Sequence, residues 1–317
     1  MLNRRHLRVK VLQSLYAYYQ SHNHDLASGE KELLYGIEKI YDMYLLQLTL
    51  LAELVVQEER ILEENALKHL PTPADLNPNR RFIENRCLQM ILNDQALQHE
   101  AAKRTLHWRD ERELVRKLIQ QIKQQNYYVA YMEGEDGEIK DDLRFVLRML
   151  QKSILPFEAL HSFYEEKSIY WIDDWELVNK MLIKTLKESV LERGHLALMG
   201  LFKDPTDRDF AKELFKKAIV NHQDFNRIIS AKTMNWDVER IALMDMIIME
   251  MALTEILKFP EIPVKVSLNE YIELSKMYST PKSKVFINGV LDKLVEEFVR
   301  EKKISRQGSD HHGSTKE

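Results

Sequence analysis

The chain has one cysteine, Cys87, in 317 residues. That excludes an intramolecular disulfide framework and any zinc site built from cysteines, and it fits a reducing cytoplasm. A lone cysteine in a helical pattern reads as a small buried apolar side chain. Glycine and proline are also scarce, at 9 and 8 residues. With 30% charged residues and abundant Leu, Glu, Lys, Gln, Met and Arg, that scarcity is the bias of long helices. The expected fold is all-α, with very little strand. A hydrophobic share of 44% over this length supports real cores and two or three modest domains.

No run is long and apolar enough to cross a bilayer. The most apolar stretch, Tyr44 to Val56, is interrupted by Gln47, Thr49 and Glu53 and falls short of the roughly 20 residues a span needs. The start MLNRRHLRVK runs into VLQSLYAYYQ without a clean apolar core or a small-residue cleavage site, so no signal peptide and a cytoplasmic location are expected. There is no Gly-rich phosphate loop, HExxH, G-x-S-x-G or carboxylate pair in a recognisable frame. The expectation is therefore no enzyme, no cofactor and no metal; the His311-His312 pair alone is a poor metal signal. A net charge of −4 excludes a surface that coats nucleic acid, so any RNA site must be a local patch.

Such a patch opens the chain. Arg4, Arg5, His6, Arg8 and Lys10 precede any acidic residue, and Leu7, Val11, Leu12, Leu15, Tyr18 and Tyr19 follow at helical spacing. Arg4 and Arg8 lie one turn apart, and Tyr16 returns to the azimuth of Arg5. Near the other end, Val266, Leu268, Ile272 and Met277 predict one helix, and Phe286, Val290, Leu291 and Leu294 a second, with Ser283 as its N-cap and Ser279-Thr280-Pro281 as the turn between. Gly289 lies inside the second pattern, where glycine costs about 1 kcal/mol relative to alanine. A close neighbouring backbone would explain it, with Asn288 as partner of a buried polar bond.

Two motifs carry a family resemblance. Arg4-Arg5-x-x-Arg8 followed by Gln13-x-Leu15-Tyr16 resembles the opening helix of the transcription antitermination factor NusB family. PVKVSLNEYIEL with Ser283-x-x-Phe286-x-Asn288-Gly289-Val290-Leu291-Asp292 resembles that family's C-terminal end. Trp236, Arg240, Asp245 and Ala252-x-x-Glu255 are similar to its core helix. The resemblance implies helical bundles of the NusB type and a protein that pairs with NusE, a small-subunit ribosomal protein. The pair would bind single-stranded boxA-type RNA within the RNA polymerase antitermination complex, notably on ribosomal RNA transcripts. On that reading Arg4, Arg5, Arg8, Lys10, Lys282, Lys284 and Phe286 contact RNA, while Tyr16 and Asp245 face NusE. Arginines would hold phosphates, and aromatic or guanidinium planes would stack on bases. RNA methyltransferases with a NusB-like domain are the enzyme alternative, but only a short tail follows the C-terminal motifs. A helical scaffold that has lost RNA binding, with the insertion making a homodimer, is the other alternative.

The chain departs from the family in length and detail. Residues 1–70 read as the basic helix and a long second helix from Glu30 to about His69, with Leu33, Ile37, Ile40, Tyr44, Leu48, Leu51 and Val55 as its seam. Residues 71–202 read as an inserted helical module, entered through PTPADLNPNRR. Residues 203–304 read as the NusB-like C-terminal domain, with helices over Asp207 to Val220, Asn221 to Lys232 and Trp236 to Lys258, and 305–317 as a disordered tail. Asp141 and Arg144 echo Asp237 and Arg240, and Asn179-x-x-Leu182-x-Lys184 echoes Asn288-x-x-Leu291-x-Lys293. These echoes fit either a degenerate repeat or chance similarity of helical sequences. Ser267, Tyr271 and Ser275 stand where the family often has small residues, predicting looser packing, and Lys282 stands where many relatives carry an acid.

Overall fold

The computed structural model of the chain describes residues 1–21, 25–135, 137–233 and 241–304. Trp236, Asp237 and Arg240, and the tail from Ser305, lie outside the described residues. The fold is all-α, and no strand occurs among the described residues. The helices are α1 (Arg4–Gln20), α2 (Leu26–Ala66), α3 (Pro73–Leu76), α4 (Arg86–Leu92), α5 (Gln95–Lys103), α6 (Arg112–Lys123), α7 (Asn126–Glu133), α8 (Ile139–Met149), α9 (Glu158–Lys167), α10 (Trp175–Glu188), α11 (Asp207–Lys232), α12 (Leu243–Lys258), α13 (Val264–Tyr278) and α14 (Pro281–Arg300). The two helices expected over 207–232 are one, because no breaker separates Val220 from Asn221.

Two compact units result. One is Glu38–Leu201 with Met1; the other joins Leu2–Ile37 to Phe202–Glu317. The partition divides α2, which the sequence reading kept whole in an N-terminal domain, and groups α1 with the C-terminal helices. At 41 residues α2 is long, about 60 Å at 1.5 Å per residue. Its apolar window would pass for a membrane span by length and composition, but 72% of it is buried in protein.

In the Glu38–Leu201 unit, polar side chains tie α2 to its neighbours. The Trp171 and Trp108 indoles donate to the carbonyls of Lys39 (2.7 Å) and Leu46 (3.1 Å). Tyr44 pairs with Thr185 at 2.7 Å and accepts from the Met199 amide. Arg104 bonds Asp42 and Glu38 and lies over the Tyr41 ring. Cys87 is buried, and burial pushes its thiol up to about 12, with the Asp142 charge adding. It packs as the apolar side chain expected. Asn179 is buried and bonds Trp175, whereas Asn288 is exposed and bonds Asp292. The two echoed asparagines occupy different environments.

In the other unit α12 is the central helix. Asp245 and every residue from Ile247 to Ile256 are buried, the all-round burial its apolar sequence predicts. It packs against α1, α11, α13 and α14. Leu2 bridges Phe202 as a parallel pair, and the Lys203 amide donates to the Leu2 carbonyl at 2.8 Å. Asn3 caps α1 through a reciprocal bond with His6. In α14 the cap is Thr280, not Ser283: its hydroxyl accepts from the Ser283 amide at 3.1 Å, and Pro281 takes the first helical position. Seen on the helix, Ser283 is the residue whose amide is capped.

The glycines separate by environment. A Cβ at Gly289 would meet nothing within 4 Å, so the close backbone approach expected there is absent. Gly289 and Asn288 face solvent while Ile287, Val290 and Leu291 turn inward. The close approach is at Gly29, near the start of α2, where a Cβ would lie 2.9 Å from both Phe215 and Tyr18. Gly289→Ala is therefore expected to stabilise the fold by about 0.5–1 kcal/mol, and Gly29→Val to cost about 1–3 kcal/mol by overpacking. Urea midpoints moving in the same direction for both would contradict this assignment.

Candidate nucleic-acid interface

Beneath the basic helix start lies a buried carboxylate. Glu255 on α12 is fully buried. Its two oxygens accept from Arg8 Nε (2.8 Å) and Nη2 (2.7 Å), from the Ser267 hydroxyl (2.6 Å) and from the Tyr271 hydroxyl (3.0 Å). Arg8 is only 4% exposed. Burial pulls its guanidinium toward neutrality, but the bonds and charge of Glu255 outweigh that and leave its pKa raised. Burial and the Glu255 charge together drive the Tyr271 phenol well upward. Ser267 and Tyr271 thus loosen nothing: they complete the shell of a charge that an all-apolar helix could not otherwise bury.

Arg8 is accordingly not a surface residue, which corrects the expectation that Arg4, Arg5 and Arg8 form one phosphate-binding edge. Lys10 is also buried. They are covered on different flanks of α1: Arg8 on the flank nearest Leu12 and Leu15, and Lys10, two residues on and roughly 200° around the helix, on the flank nearest Leu7. Arg5 points outward with a side chain 57% exposed, and donates to Glu270 of α13 through Nε (2.9 Å) and Nη2 (2.6 Å). Arg4 is intermediate: it lies 3.5 Å from buried Asp207 and over the Phe210 ring. No acidic residue occupies the first turn of α1, so these arginines add to the positive end of the helix dipole. Arg4, Arg5 and Glu270 edge a groove of about 460 Å³ whose apolar part is Ile262, Pro263 and Val266.

The second motif lies beside this edge. The Glu273 carboxyl is held below its usual range first by its bond to Lys276, and also by the charges of Arg5 and Lys284. Glu273 lies one turn after Glu270, the partner of Arg5, on α13, against which α14 packs. Lys282 is exposed, and Lys284 and Phe286 are half-buried. Phe286 is not in the core, which here belongs to Ile287, Val290, Leu291 and Leu294. Tyr16 is 39% exposed.

Asp245 is the second correction. It is 4% exposed and accepts a hydrogen bond from the Ser279 hydroxyl, so it does not present a carboxylate to a partner. It braces the α13–α14 turn against α12.

Sequence reasoning missed a further cluster. Glu250 on α12, 1% exposed, accepts from Tyr19 at 3.3 Å and from His222 Nδ1 at 3.0 Å. The Tyr19 and His222 rings lie 4.5 Å apart, and Asn226 bonds the imidazole. Two glutamates within the apolar run of α12 were the available signal, since a buried acid requires a cation or donors around it.

The described residues form an all-helical protein with basic residues at the starts of α1 and α14. The NusB family model matches residues 170–296. The transcription antitermination protein NusB of Salinibacter ruber is 40% identical over 113 residues, covering 36% of this chain and 71% of that protein. The NusB protein of Pseudothermotoga lettingae is 34% identical over 121 residues, covering 38% and 81%. That of Chloroherpeton thalassium is 41% identical over 85 residues, covering 27% and 40%. No solved structure matches. The chain belongs to the NusB family. The match begins at residue 170, so part of the segment read as an insertion falls within it.

Arg8→Ala should cost about 3–5 kcal/mol, because it strands the Glu255 charge in the core. Arg5→Ala should cost no more than about 1 kcal/mol, as an exposed pair does. Chemical denaturation of the two variants checks this, and equal losses would contradict the distinction.

The Glu250 bond raises the pKa of His222 above its ordinary 6.5; burial opposes this and the Glu250 charge adds to it. A raised folded value means the pair stabilises fully below about pH 6.5 and loses that contribution as pH rises through the folded value. His222→Gln should therefore lower the urea midpoint more at about pH 5.5 than at about pH 8.5. A loss independent of pH would show that the ring acts by packing alone.

Proposed function

We propose that this protein is a transcription antitermination factor that binds boxA-type single-stranded RNA together with NusE. It acts in the cytoplasm, within the RNA polymerase antitermination complex, and catalyses no reaction. The observation that carries this reading is the joint exposure of Arg5 and Lys282, with Arg4, Lys284 and Phe286 half-exposed, in a chain of the NusB family. Cations beside an accessible ring are what a single strand needs: charge for phosphates and a plane for a base. Tyr16, exposed on the Arg5 side of α1, is the residue retained for NusE. Arg8, Lys10 and Asp245 are withdrawn from the contact set by their burial.

Binding of a short boxA-type RNA across a salt series, with and without NusE, tests the reading. Replacing Arg4 and Arg5 by Ala should weaken binding and flatten the log–log salt slope by about 0.7 per lost phosphate contact. Phe286→Ala should weaken binding about tenfold, since a stacked base contributes about 1–3 kcal/mol, with the fold nearly intact. Unchanged affinity and slope in both variants would remove this edge from the RNA surface.

A further inference from the structure

Arg5 is the most exposed arginine of the α1 edge, yet its charge is already engaged. Its Nε and Nη2 form a two-pronged contact with the Glu270 carboxylate at 2.9 and 2.6 Å. That is the same fork an arginine offers a phosphate. A strand reaching Arg5 along the groove therefore meets an occupied guanidinium and a negative charge beside it.

We propose that Glu270 is an intramolecular competitor for the RNA backbone, occupying the Arg5 fork in the unbound protein and being displaced by a phosphate when RNA binds. This rests on the RNA-binding reading above and names what limits affinity at that site.

Three observations carry it. The Arg5 side of the pair is open, 57% exposed against 16% for Glu270, so solvent and an incoming anion can reach the guanidinium and exchange is accessible. The Arg8–Glu255 pair, one turn along the same helix, is closed on both sides at 4% and 0% and cannot exchange. A displaced Glu270 is also not stranded: Arg8 uses Nε and Nη2 for Glu255, and its Nη1 lies 3.7 Å from Glu270. The released carboxylate keeps a counter-charge inside the protein while Arg5 turns outward. One turn on, Glu273 pairs with Lys276 and feels Arg5 and Lys284, so the acidic line continues along α13. Such a line weakens indiscriminate attraction of polyanions to these cations.

The experiment is a double-mutant cycle on the full chain, read by affinity for a boxA-type single-stranded RNA over a salt series. Glu270→Gln keeps an acceptor for Arg5 and removes the charge. It should bind about three- to tenfold tighter at low salt and show a steeper salt slope. In an Arg5→Ala background the same change should have no effect, which separates release of Arg5 from a general change in net charge. Binding by Glu270→Gln that is unchanged or weaker than wild type overturns the proposal and makes Glu270 a residue that holds Arg5 in place. A gain that persists without Arg5 also overturns it. If wild type and Glu270→Gln both fail to bind at any salt, with or without NusE, the RNA reading itself falls and this inference with it. If wild type fails and Glu270→Gln binds, competition is upheld in its strongest form.

Discussion

A carboxylate with no access to solvent holds the NusB-like unit together. Glu255 sits in the last turn of α12, within its run of buried residues, where an unpaired charge would be destabilising by several kcal/mol. Four donors from two other helices converge on it: two from Arg8 of α1, and one each from Ser267 and Tyr271 of α13. The charge thereby specifies register as well as contact. Sliding α1 or α13 by one residue along α12 would leave donors and acceptor unmatched, which apolar packing alone would not forbid.

That internal demand divides the basic residues of α1 between two tasks. Arg8 is drawn inward to Glu255 and Lys10 is buried on the other flank of the apolar face; Arg5, nearly one turn before Arg8, lies at the margin of that face and stays at the surface. Arg4 is partly held by Asp207 and Phe210. Basic residues at a helix start oppose the dipole, so each requires compensation from a carboxylate or an anion. Here the compensation is graded from a sealed pair at Glu255 to an open one at Glu270, and only the open end can exchange its partner.

The two motifs that identify the family lie at opposite ends of the chain but belong to one unit, because Leu2–Ile37 groups with the residues after Phe202. Between them runs the separately packed Glu38–Leu201 unit, whose apolar seam on α2 is filled by residues the sequence pattern had already picked out, from Ile40 to Val55. The seam was legible because a helix that buries one side repeats every three to four residues. The point at which α2 passes from one unit to the other was not, since the same periodicity continues across Ile37 and Glu38.

By itself the sequence determined the helical class, the absence of a disulfide core, the basic start of α1 and the family, because each depends on composition, local spacing or motif identity. Phe286 belonged to the apolar pattern in the sequence, and only the structure set it outside the core. Only the tertiary structure decided which charges face solvent. Arg5 and Arg8 look alike in the motif, and Asp245 looks like any acid near a helix start. Their roles depend on partners at Glu270, Glu255 and Ser279, each distant in sequence from the residue it holds, except that Ser279 and Asp245 meet across a single helix hairpin. Periodicity fixes the side of a helix on which a residue lies; the charge it meets there is set by whichever helix packs against that side.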